Sequence, residues 1–210
     1  MLKIFIGIVL IGLLHSQNAS AQAFSANVGW NSQYIYRGIP QKTSSAFGGV
    51  DMEAGNAYAG AWAADVGDGL EIDYYAGYGF NVADFDFSLG GTWYTYTGDF
   101  DDKYLELNLA VGWKFLTFDA AIGQYDNFAG PTLNYQFYTV TTTYAGFYAK
   151  IGAFEDDFQG AYYEAGYGDT LVVNGTNLID YGFALIRSNS KLLGGEAGTN
   201  AVFTLTKTFP

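Results

Sequence analysis

Strict period-two alternation is the feature that most restricts what this chain can fold into. In "GLEIDYYAGYGF", residues 69–80, Leu70, Ile72, Tyr74, Ala76, Tyr78 and Phe80 fall on one parity, and Glu71, Asp73, Tyr75, Gly77 and Gly79 on the other. Side chains of a strand point alternately to opposite faces, so the pattern predicts a β-strand with two unlike surfaces. Similar segments recur at about 24–37, 45–54, 56–66, 70–80, 83–97, 102–113, 115–124, 132–144, 146–154, 161–169, 177–188 and 199–209, and none carries a helical period. The expected fold is all-β, with about twelve antiparallel strands.

The connections alternate in length. Those at Gly55, Asn81-Val82, Lys114 and Ala145 are tight, whereas 38–44, 98–101, 125–131, 155–160 and 189–198 are longer. Two depart from the rule: 66–69 is short on the long side, and 170–176, with its Asn174-Gly175 turn signal, is long on the short side. Short turns at one end and long loops at the other characterise outer-membrane up-and-down barrels, whose short end is periplasmic. An even strand count also returns the chain to the side on which it entered.

Alternation does not say which face is wet, but side-chain volume bears on it. In the first segment Phe24, Ala26, Val28, Trp30, Tyr34 and Tyr36 oppose Ser25, Asn27, Gly29, Asn31, Gln33 and Arg37. In the third, Tyr58, Trp62 and Val66 oppose Ala57, Ala59, Ala61 and Ala63; in the sixth, Leu105, Leu107, Leu109, Val111 and Trp113 oppose Glu106, Asn108, Ala110 and Gly112. A closed barrel has less room inside than outside, so the small, polar parity is expected inside and the aromatic parity against lipid. The apolar parity carries few charges, Lys103 and Arg187, near strand ends where long side chains can snorkel. A charge at the bilayer midplane costs about 2–4 kcal/mol in such barrels. Trp30, Tyr34, Tyr36, Trp93 and Trp113 suit interfacial aromatic girdles.

The chain opens on "MLKIFIGIVLIGLLHSQNASAQA", with Lys3, an apolar run and small residues at Ala19 and Ala21, which reads as a secretory signal cleaved after Ala21, with Ala23 as the alternative. Its eleven-residue apolar run is too short for a membrane-spanning helix, which takes about 20 residues. Residues 22–210 are then the barrel domain. Cleavage takes away His15, the only histidine, and there is no cysteine. Ser-His-acid triads, cysteine nucleophiles and imidazole or thiolate zinc sites therefore each lack a required part, and no catalytic, cofactor-binding or metal-binding residues are expected. Formal charge is -12, which disfavours nucleic acid as a partner.

The inward parity collects the acids Asp51, Glu53, Glu71, Asp73, Asp84, Asp86, Glu106, Asp119, Glu164 and Asp180 against the bases Arg37 and Lys150. Carboxylates lining a narrow wet passage attract cations, so these twelve residues are the expected pore lining and the pore is expected to be cation-selective. Glu71, Asp73, Asp84 and Asp86 are expected in one acidic patch near the periplasmic end. The alternatives left open are a filled, closed structural or adhesive barrel and a soluble periplasmic ligand-binding barrel.

The stretches "SANVGWNSQYIYRGIPQ", "GGVDMEAGNAYAGAWAADV", "LEIDYYAGYGF", "WYTYTGDF", "YLELNLAVGW" and "VFTLTKTF" resemble the TorF family of porins, also described as Gcw_chp outer-membrane proteins. The likeness runs from Ser25 to Phe209. Its most specific part is 32–38, where Tyr34, Tyr36, Arg37 and Gly38 match an S-D-Y-x-x-R-G pattern with Gln33 in the acid's place. The resemblance implies a Gram-negative outer-membrane barrel and supplies no catalytic residues. Arg37 is expected to be held by a lumenal carboxylate. An alternating last strand closing on Phe209, followed by Pro210, resembles the signal read by barrel-assembly machinery. The expected partners are thus outer-membrane lipid, that machinery and small solutes.

Overall fold

The structure, a computed structural model, describes residues 23–210; the expected signal and its cleavage site lie outside the described residues. Twelve antiparallel strands close into one barrel: β1 (Ala23–Tyr36), β2 (Ile39–Ala54), β3 (Ala57–Gly67), β4 (Gly69–Val82), β5 (Phe85–Tyr96), β6 (Tyr104–Trp113), β7 (Leu116–Tyr125), β8 (Leu133–Tyr144), β9 (Phe147–Asp156), β10 (Gly160–Val173), β11 (Thr176–Ser188) and β12 (Gly198–Phe209). Each pairs with its sequence neighbours, and β1 pairs with β12 through Ala26↔Phe209 to Asn31↔Thr204. With strands about 4.8 Å apart and tilted by about 40°, twelve strands make a wall about 24 Å across.

Two expected loops are strands joined by tight turns. β2 starts at Ile39, straight after a turn in which Arg37 and Gly38 have φ of 48° and 82°. β10 and β11 meet at Asn174 and Gly175, with φ of 50° and 77°. Paired left-handed residues form the hairpin turn whose twist matches the flanking strands, and Gly and Asn tolerate it best. The 170–176 exception therefore disappears, and all five connections at that end are tight. At the other end the 189–198 loop holds a one-turn helix, α1 (Ser190–Leu193), capped by the Asn189 side chain accepting from the Leu192 amide at 2.8 Å.

The outer wall is apolar. Val50, Leu70, Tyr78, Leu89, Leu105, Leu107, Ile122, Val140, Ile151 and Leu185 are among its exposed large side chains. Near the tight-turn end Phe80, Phe85, Trp113, Phe115, Tyr144 and Phe147 form an exposed aromatic belt in which Phe85 stacks on Trp113. A contiguous apolar exterior is stable against hydrocarbon and not against water, so the molecule is a transmembrane barrel. Trp30 and Trp93 belong to this outer surface.

The interior departs from the volume argument. β3 is inverted relative to expectation: Trp62 pairs with Asp73 and Tyr58 with Gly77, and paired residues share a face. With Asp73 buried inside, Trp62, Tyr58, Ala64 and Val66 must also point inward, and Ala57, Ala59, Ala61 and Ala63 face out. Tyr34 and Tyr36 turn inward too, because β1 leaves β12 after Asn31 and shifts register against β2 between Tyr34 and Ile35. Glycines make the room. A Cβ on Gly77 would lie 2.3 Å from the Tyr58 hydroxyl, and one on Gly123 2.2 Å from the Tyr135 ring. Each bare backbone seats a ring that a barrel of this width would otherwise exclude.

Candidate functional site

The β1–β2 hairpin does not rise from the wall but dips its tip across the lumen. Arg37 reaches β6, on the far side of the barrel, and donates to Glu106 through both terminal guanidinium nitrogens, Nη1 to Oε1 at 2.5 Å and Nη2 to Oε2 at 2.9 Å. Glu106 also accepts from Tyr135 at 2.7 Å, Asn108 at 2.9 Å and Tyr94 at 3.1 Å. The guanidinium lies over the Phe137 ring, 4.2 Å from its centroid, and beside Tyr36 at 4.9 Å. Gly38 completes the docking: its carbonyl accepts from the Ser188 hydroxyl of β11 at 2.6 Å, and its missing side chain leaves space for Tyr162. Arg37 is thus held by a lumenal carboxylate, and the ion pair is buried and bidentate, with three further donors on the carboxylate, the geometry in which such a pair holds best.

Toward the long-loop end aromatic packing thickens around this tip. Ile35, Tyr125, Tyr135, Phe137, Phe154 and Tyr162 form one buried cluster, and Phe158, from the β9–β10 connection, stacks on Tyr135 with 4.9 Å between ring centroids. Toward the tight turns the interior is polar and open. Asp51 accepts from Tyr75, Asp86 from Asn81 and Asp180 from Thr170 at 2.5 Å, and Glu53 stands beyond Asp51 on the same face; all four acids are partly exposed.

The other acids occupy different levels. Glu71 and Asp73 sit together near the long-loop end of β4, each 2% exposed. Tyr34 and Tyr96 donate to Glu71, at 2.5 and 3.0 Å, while the Oδ1 of Asp73 has no partner. They do not form a patch with Asp84 and Asp86. In the β4–β5 hairpin Glu71 faces Tyr96 and Asp73 faces Tyr94, whereas Asp86 faces Asn81, eight residues or roughly 27 Å further along β4. Asp84 is in the exposed tight turn and does not face the lumen. Asp119 accepts from Thr139 at 2.7 Å, and Glu164 from Tyr148 at 2.6 Å. Lys150 faces Glu164 across the β9–β10 ladder.

Comparison with known proteins places this architecture. The family model described as "Bacterial protein of unknown function (Gcw_chp)" matches residues 15–147, well over half of the chain. The chain belongs to the Gcw_chp family. A search of curated proteins finds no match. Among solved structures, one from a study of the mechanism behind in-meso crystallization of membrane proteins aligns with this Gcw_chp barrel at a TM-score of 0.56 and 9% identity, covering 89% of this chain and 83% of that one. Pseudomonas aeruginosa OprD aligns at 0.41 with 13% identity, over 90% of this chain and 66% of its own. Acinetobacter baumannii OccAB3 aligns at 0.44 with 9% identity, over 87% and 59%. The first likeness concerns the fold, and the other two align too loosely to carry an argument.

The inward aromatics Tyr34, Tyr58, Trp62, Tyr94, Tyr135 and Tyr162 are the residues that sequence reasoning missed. A signal for them existed: each glycine-rich strand face lies opposite a tyrosine-bearing one, as with Gly152 under Tyr162 and Gly166 under Tyr148.

Proposed function

We propose that this protein is a porin of the TorF kind in the outer membrane of a Gram-negative bacterium, a passive diffusion channel for small solutes that favours cations. The observation that carries the reading is the contrast between the two faces of one closed wall: an apolar exterior and an interior bearing many more carboxylates than bases. The tight-turn vestibule presents Asp51, Glu53, Asp86 and Asp180 as its pore lining, and exposed acids Asp68, Asp99, Asp126 and Asp157 stand at the loop end. Both mouths concentrate cations and repel anions. No group in this scheme performs chemistry, and passage uses no cofactor.

Reconstitution in planar bilayers under a salt gradient tests it. Discrete conductance steps with a reversal potential favouring cations are expected; anion preference refutes the acidic-lumen reasoning. A second reading, a closed structural barrel, is favoured by the hairpin tip and its aromatic packing, and predicts a membrane-inserted protein with no steps at all.

A further inference from the structure

Beside the hairpin tip the lumen holds a cavity of about 120 Å³. Its polar lining comes from Asn108, Asp119, Thr139 and Lys150, and Phe137 and Tyr162 wall it. Arg37 also borders it, but its charge is already paired with Glu106 through both terminal nitrogens.

Lys150 is different. Its ladder neighbours are Glu164, which accepts from Tyr148, and Thr141, and among the described residues Lys150 makes no ion pair. Asp119 accepts from Thr139 with one oxygen only, Oδ2. Asp119 is on β7 and Lys150 on β9, flanking β8; Asp119 faces Thr139 and Lys150 faces Thr141, so their backbones are two strand spacings and two residues apart, about 12 Å. One cavity therefore offers a cation and an anion with no ion pair between them, walled by Phe137 and Tyr162.

We infer that this cavity is a binding station for a small zwitterion, an α-amino acid, with its carboxylate on Lys150 Nζ and its ammonium on Asp119. Chemistry separates this ligand from the others that the lumen can admit. A simple anion meets the vestibule acids before it reaches Lys150, and a simple cation finds Asp119 but also the lysine. A zwitterion satisfies both charges at once. The cavity leaves room beside both side chains for a small molecule that touches the two charges together.

The inference rests on the channel reading for the solute's route, but its test does not need conduction. Calorimetric titration of the detergent-solubilised barrel with glycine, L-alanine, acetate, methylammonium and glycinamide is expected to show binding of the two amino acids. The three analogues, each lacking one charge of the pair, should bind about tenfold more weakly or worse. Lys150→Met and Asp119→Asn should each weaken alanine binding to a similar degree, with folding checked by migration of the unboiled protein on a gel. The analogue series uses the natural protein, so it decides the matter even where a variant fails to fold. Equal binding of alanine and acetate, no binding of either amino acid, or full affinity in a folded Lys150→Met protein overturns the station. A conducting barrel that binds no amino acid overturns the station and leaves the passage standing; a binding barrel that never conducts does the reverse.

Discussion

Replacing Arg37 by methionine removes the charge that crosses the lumen and leaves Glu106, itself 2% exposed, as a buried carboxylate without its counterion. Of the five hydrogen bonds into Glu106, the two from the guanidinium are lost, and those from Tyr94, Asn108 and Tyr135 remain. Breaking a buried pair on one side costs about 3–5 kcal/mol, because the orphaned charge stays desolvated, whereas removing both charges is often close to neutral. Arg37→Met should therefore lose about 3–5 kcal/mol, slightly moderated by the three neutral donors, and the Arg37→Met/Glu106→Gln double variant should recover most of it. Urea titration of the refolded barrel in lipid vesicles, followed by tryptophan fluorescence, measures both; Trp62 lies 5.7 Å from Tyr34 in the packed interior and reports on it. A single variant within about 1 kcal/mol of the natural protein, or a double variant that sums the two single losses, refutes the idea that this pair holds the tip.

Other changes probe separate parts of the structure. Gly38→Ala puts a Cβ 2.7 Å from the Cβ of Tyr162 at a φ of 82°, so the tip should unseat at a cost of about 1–3 kcal/mol, with larger or noisier single-channel steps. Gly123→Ala drives a methyl into the Tyr135 ring and should cost about 1–3 kcal/mol in the same urea assay. Asp73→Asn should leave the barrel about as stable as the natural protein, since the Oδ1 of Asp73 has no partner to lose; a clear loss in the urea assay would mean that the carboxyl group has a role in folding. Leu107→Arg, on the outer face of β6, should cost about 2–4 kcal/mol in bilayers; no cost there would contradict insertion in lipid.

Strand positions were legible because alternation is a local property of the chain, and each observed strand overlaps the segment expected for it. The sites at which the reading erred share one cause. Volume on a single strand does not reveal which face is inside when the neighbouring strand supplies a glycine to receive a ring, so Tyr58 and Trp62 were assigned outward although Gly77 and Asp73 stand opposite them. Depth along the barrel was lost in the same way: Glu71, Asp73, Asp84 and Asp86 are close in sequence, but a hairpin carries the two pairs to opposite ends. The Arg37–Glu106 pair joins residues 69 apart, and no local pattern marks such a partnership. What the sequence did carry was the need: an arginine in a strand-end motif, on a parity rich in acids.

The seat of the hairpin tip also orders the barrel's assembly. β1 and β2 share thirteen residue pairs and are adjacent in the chain, so they can form the earliest hairpin. Yet the tip's anchors come from β6, from β8 and β9, and finally from Ser188, which is 150 residues away at the end of β11. A hairpin that can form early is thus among the last pieces to be locked. Until β11 arrives, Arg37 and Gly38 lack their full socket, and a barrel closed without them would enclose an unfinished interior. The tip therefore records whether the wall was completed in register.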